Sequence, residues 1–202
     1  MLLIPLDADV TMYLWPIMNF VFIGTITIIS ALAFNAPADS GIDVFVLRGW
    51  SLLGNMVFLW ALGKAVCAKA GNFTFAVLFF ILALAAAVVH LLFDGDPAIG
   101  ASGAINGVVG MFLVYFPRND IRCFCWFLHR FGTFHVSSIW LILLWLVFDL
   151  WGATCEGDHV AHFAHLGGFA AGVTIGLGSL IFDWVEMTKT ECSLLGMIKG
   201  GR

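Results

Sequence analysis

Ser102, His165 and Asn55 are the residues of this chain whose types and settings allow hydrolytic chemistry. A serine is a weak nucleophile until a base takes its proton, and a histidine within hydrogen-bond reach is suited to that task. An asparagine N–H can donate to the oxyanion formed when the serine attacks a carbonyl. Ser102 stands in Gly100-Ala101-Ser102-Gly103, at the head of an apolar run that carries Gly107 and Gly110. His165 heads a second run, with Gly168 and Gly172 behind it. Such glycines weaken a helix in water but allow close helix approach in a membrane. Gly103, Gly107 and Gly110 on one helix, with Gly168 and Gly172 on the other, would let the serine and histidine meet.

Each of these residues also has a blander reading. A serine in a membrane helix is usually a packing residue, and the glycine pattern serves packing equally well. His159, His162 and His165 invite a metal reading, but spacing of three does not keep all three on one face and no HExxH motif is present. No metal and no cofactor are therefore expected. The five cysteines form no CxxC pair and are odd in number, so they imply no disulfide framework. What favours chemistry is convergence, and that depends on the elements that carry the three residues.

Those elements are membrane helices. The chain is 61% hydrophobic and only 11% charged over 202 residues, with mean hydropathy +1.01. Soluble domains carry about 25% charged residues. Apolar runs near the roughly 20 residues needed to cross a bilayer fall at about 13–34, 49–68, 73–93, 101–116, 133–152 and 162–182. The expected fold is an all-α bundle of six transmembrane helices, residues 1–182, followed by a polar tail, 183–202, with no clear fold. Residues 1–12 read as an amphipathic lead at the interface, and 117–131 as a mixed loop. No cleavable signal peptide is evident. Lys64, Lys69, Arg118, Arg122, Arg130, Lys189, Lys199 and Arg202 fall on the side of the termini, and Arg48 alone on the other. The positive-inside rule then places both termini in the cytoplasm.

In that topology Ser102, His165 and Asn55 lie at similar depth in the outer part of the bilayer. Polar residues there usually face a bundle interior or a water cavity. The chemistry they fit is acyl transfer by a Ser–His dyad. The first backbone N–H groups of the Ser102 helix, free of intrahelical partners, would assist Asn55. Asp149 is the one carboxylate at a comparable level, and it reads as too near the membrane edge to orient His165.

The motifs resemble those of the rhomboid intramembrane serine proteases. Gly100-Ala101-Ser102-Gly103 is similar to their GxSG nucleophile motif, and Ala164-His165-Leu166-Gly167-Gly168-Phe169 with Gly172 to their catalytic-histidine helix. Leu53-Gly54-Asn55-Met56, Phe58-Leu59-Trp60 and Gly63 resemble their second span, and the likeness runs over about residues 49–178. The resemblance implies a six-span rhomboid-like bundle with Ser102 as nucleophile and His165 as general base. Asn55 would be an oxyanion donor, and Gly100 part of the tight approach to the nucleophile. Substrates would be transmembrane proteins, cut in or near the outer part of a membrane helix. The bilayer is the other partner, and no nucleic acid is expected. A bacterial inner membrane, with the site open to its outer side, is the expected location.

Two departures stand out. The family usually has a histidine four residues before the asparagine, where this chain has Ser51, a shorter donor. Loss of one oxyanion donor costs about 3 kcal/mol in soluble serine proteases. The first loop, Asn35 to Arg48, is also short for the family. They leave a second reading: a catalytically weak or inactive relative that binds transmembrane clients.

Overall fold

The computed structural model describes residues 2–34, 49–94, 100–127, 130–154, 161–188 and 190–200. The expected first loop (35–48), and with it Arg48, lies outside these, as do His159 and residues 95–99. The described chain is mostly helical. Helix α1 is Ile17–Phe34. Helix α2, Gly49–Phe58, passes through a π-helical turn, Leu59–Gly63, into α3, Lys64–Ala70. Helices α4 (Asn72–Phe93), α5 (Ser102–Tyr115), α6 (Ser138–Gly152) and α7 (His162–Ile181) follow, then a short α8 (Leu194–Ile198). Among the described residues, three stretches are long and apolar enough to cross a membrane: Leu52–Ala70, Asn72–Phe93 and His162–Ile181. α1, α5 and α6 are apolar but shorter.

The helix that carries Ser102 is the core of the bundle. Residues Val108 to Phe116 of α5 and its end are all buried, enclosed by α4, α7 and the π-turn. The outer faces of α4 and α6 instead expose Phe80, Leu84, Leu92, Trp140, Phe148 and Trp151, as expected of a surface that meets lipid.

The fold is not all-α. Three strands, β1 (Leu2–Ala8), β2 (Asp120–Phe127) and β3 (Arg130–Ser137), form an antiparallel sheet in the order β1-β2-β3. The expected amphipathic lead is therefore an edge strand, and the expected mixed loop is mostly a hairpin. In β2, Ile121 and Cys123 are buried while Arg122 between them is exposed, the period of two of a half-buried strand. Pro5, which has no N–H to give, sits on the edge strand opposite Cys123. The fifth apolar run starts its helix at Ser138 rather than about 133, because residues 133–137 belong to β3.

The stretch after α7 is also better tied than a free polar tail. Val185 is buried, and the Ser193 hydroxyl caps α8 by accepting from the Gly196 N–H at 3.1 Å. Lys69 at the end of α3 forms an ion pair with Glu191. Burial pushes the Glu191 carboxyl up, but Lys69 and the Thr188 N–H outweigh it and hold the carboxyl below its ordinary value.

Candidate active site

Glycine decides how the site is assembled. A Cβ on Gly168 would collide with the Gly103 carbonyl, and one on Gly172 with the Gly107 carbonyl. The two contacts advance four residues along each helix in the same direction, so α5 and α7 run parallel with their backbones touching. Gly110 continues the seam against Phe169 and Val173. Side chains of α4 close the other flank: Ala86 meets Gly103, Leu82 meets Gly107 and Val89 meets Gly167. The five glycines expected to pack thus form one continuous seam. It sets Ser102, the first residue of α5, level with the first turn of α7, where His165 lies.

The start of α5 is only partly buried, with Ala101 and Ser102 half-buried. Its N-cap, Ala101, provides no side-chain cap, so the first N–H groups of the helix keep their donors free of intrahelical partners. Gly100 precedes it as an exposed residue. Asn106, one turn on, donates from Nδ2 to the Ser102 carbonyl at 3.1 Å. Among the described residues, Ser102 and His165 share no hydrogen bond. Apo catalytic pairs are often loose in this way and tighten with substrate.

His165 is held from its other side. Its Nδ1 lies 2.8 Å from Asp149 Oδ1 on α6, and His162 Nδ1 lies 3.0 Å from the same oxygen. This corrects the expectation that Asp149 stands too near the membrane edge to orient His165. Asp149 is indeed close to the end of α6, but His165 is equally close to the start of α7, so the two are level. In the tautomer that donates Nδ1–H to Asp149, Nε2 of His165 is left as an acceptor. Gly152, three residues after Asp149, makes room: a Cβ there would strike the His162 ring. The side chains of His162, His165 and Asp149 are 12%, 14% and 19% exposed, mostly enclosed yet within reach of small solutes.

Asn55 lies on α2, which packs on α5. It is 9% exposed, and among the described residues its Nδ2 has no hydrogen-bond partner. A buried amide donor without an acceptor costs about 1–3 kcal/mol, which is a reason to look for a ligand that completes it. Ser51 lies in the first turn of α2, but its side chain is outside the described residues.

Two residues had escaped the sequence reading. His162 was weighed only within the trio with His159, although 162 and 165 alone share a helix face by their i, i+3 spacing. Asn19 on α1 gave no signal at all. It is fully buried and donates from Nδ2 to the Leu59 carbonyl at 3.0 Å. That carbonyl also accepts the Lys64 N–H five residues on, so Asn19 supports the π-turn below Asn55. Gly63 gives its side chain room, since a Cβ there would meet Asn19 Oδ1.

Comparison with known proteins gives a match to the Rhomboid domain over residues 44–181. The chain is similar to "Rhomboid protein 1, mitochondrial" of Saccharomyces cerevisiae, 30% identical over 136 residues. It is also similar to "Rhomboid protease GluP" of Bacillus subtilis, 31% identical over 124 residues. The aligned parts cover 63% and 61% of this chain but only 37% and 23% of those relatives. No solved structure matches.

Proposed function

The chain belongs to the rhomboid family of membrane proteins, and on that premise we propose that it is an intramembrane serine endopeptidase acting on transmembrane protein substrates. Ser102 Oγ attacks the scissile carbonyl while His165 Nε2 takes its proton. The oxyanion is met by Asn55 Nδ2 and the free N–H groups at the start of α5, with Gly100 and Gly103 keeping that start narrow. The imidazolium is stabilised by Asp149 at Nδ1, so the dyad gains an orienting carboxylate. His165 then returns the proton to the leaving amine. Water, deprotonated by the same nitrogen, releases the acyl group from Ser102. Ser51 is assigned a supporting place at the oxyanion in lieu of the family histidine.

The observation that carries this reading is the bonding of His165 to Asp149 at the level of Ser102. A core histidine needs a partner too, but the glycine seam brings this one beside the uncapped start of a buried helix that bears a serine. The termini are assigned to the inner side and the site to the outer side of the membrane, from the distribution of basic residues.

The test is labelling by a serine-reactive phosphonate, with cleavage of a helix-destabilised transmembrane substrate in liposomes. Wild type should label and cut, while Ser102→Ala and His165→Ala should do neither. Wild type that fails in both assays would overturn the protease reading. It would leave the client-binding relative, which the missing Ser102–His165 hydrogen bond and Ser51 favour.

A further inference from the structure

We infer that Asp149, His162 and His165 form a binding site for a borderline-soft divalent cation such as Zn²⁺, and that occupancy switches the site off. The second half rests on the protease reading; the first does not. One ligand atom from each residue lies within 4.8 Å of the other two. Both histidine Nδ1 atoms already converge on one carboxylate oxygen, at 2.8 and 3.0 Å. Ligands of a tetrahedral Zn²⁺ stand about 2.0–2.2 Å from the metal, so three such atoms need only part slightly to admit it. Two imidazoles and a carboxylate suit zinc, copper or nickel far better than calcium or magnesium, which take oxygen ligands. Three protein ligands leave a fourth position for water. The ligands come from two helices and are partly exposed, so a cation can reach them without opening the core.

The consequence follows from the two nitrogens of one ring. In the metal-free site Nδ1 of His165 carries the proton and gives it to Asp149, which keeps the Nε2 lone pair available. A metal bound at Nδ1 uses that nitrogen's own lone pair, so the proton displaced from Nδ1 is carried on Nε2 instead. No proton is gained or lost by the ring, but the nitrogen that must accept from Ser102 becomes a donor. His162 is the member that makes the difference, because it turns a hydrogen-bonded His–Asp pair into a three-point ligand set and has no step in the proposed hydrolysis.

The experiment uses the full chain in detergent, with Zn²⁺ titrated against a chromophoric chelator and Co²⁺ as a spectroscopic probe. Wild type should bind one ion at this site, with a Co²⁺ spectrum free of thiolate charge-transfer bands, and Mg²⁺ should not compete. His162→Ala and the bulkier His162→Gln should each weaken binding by about tenfold or more, with thermal unfolding confirming that at least one stays folded. In the cleavage assay Zn²⁺ should inhibit wild type reversibly and spare the His162 variants. No binding by wild type, binding unchanged in a folded His162 variant, or a thiolate band would each overturn the site. Binding with undiminished cleavage would overturn the switch. A wild type that never cuts, with or without metal, fails the protease reading while the binding arm still decides the site.

Discussion

The two ends of the bundle use polar groups in opposite ways. At the sheet end, they tie elements together. Lys64 Nζ meets Asp7 at 2.7 Å, joining α3 to β1. Asn72 accepts the Met18 N–H at 2.9 Å and donates to the Trp15 carbonyl at 3.0 Å, clasping the start of α1. Tyr115 and Ser179 bond at 2.8 Å between the ends of α5 and α7. At the Ser102 end, by contrast, polar groups are left to spare: Asn55 Nδ2 is buried and unpartnered, the first turn of α5 is uncapped, and one carboxylate oxygen serves two imidazoles. The sheet end also leaves two buried acceptors, Asn19 Oδ1 and Glu191 Oε1, without a partner among the described residues, whereas the Ser102 end leaves a donor, Asn55 Nδ2. That difference suits reactivity, because an unmet donor gains its partner when a substrate oxygen arrives.

Substitutions at the two ends should therefore fail differently. The largest effect short of removing Ser102 or His165 is expected from Asp149→Asn. It should lower kcat by about 10³–10⁴ if the carboxylate acts as in soluble triads. Asp149→Glu, which keeps a carboxylate for His165 Nδ1, should recover part of that loss. A kcat left unchanged by Asp149→Asn would reduce Asp149 to a packing role. Asn55→Ala comes next, lowering kcat by about 10²–10³ with little change in KM. Equal loss in KM would place the amide on ground-state binding instead.

At the sheet end, Asp7→Asn should leave turnover unchanged and cost about 1–2 kcal/mol in thermal unfolding, since it strands a largely buried Lys64 charge. Activity lost in proportion to catalytic-site variants would erase the division between the ends. The smallest effect is expected at Glu191. Its folded carboxyl titrates below its ordinary value of 4.5, so its contribution is present at neutral pH and fades as pH falls through that depressed value. Hydrogen exchange across 185–198 should accelerate only in that acidic range, and Glu191→Gln should remove the dependence.

The sequence made the bundle's seam readable because glycine has one strong reason to recur every four residues in a membrane helix, and the motifs around Ser102 and His165 carried the family. It hid what depends on pairing between distant segments. β1 lies more than a hundred residues from β2, and its apolar run with one aspartate, Asp7, resembles an interfacial lead as much as a strand. The charges at Arg118, Asp120, Arg122 and Arg130 make 117–131 read as a mixed loop, because the strand pairing that orders Ile121, Arg122 and Cys123 comes from distant β1 and from β3. Distance from the span end alone puts Asp149 at the membrane edge, whereas in the bundle the end of α6 and the start of α7 are level, and Asp149 meets His165. Asn19 was silent because its partner is a backbone carbonyl that a regular α-helix would have occupied.

That carbonyl gives the π-turn a geometrical meaning. Five residues in a π-turn do the work of about four in an α-helix, so Leu59–Gly63 amounts to one residue inserted in the span. Each α-helical residue turns the chain by about 100°. Deleting any one of the five would let the segment close as regular helix and rotate everything above it by roughly that angle. Asn55 would swing from the α5 side toward a neighbouring quadrant, while the composition and length of the span would hardly change. The aim of the amide is thus stored as a phase, written into α2 by one surplus residue and held there by a side chain from α1.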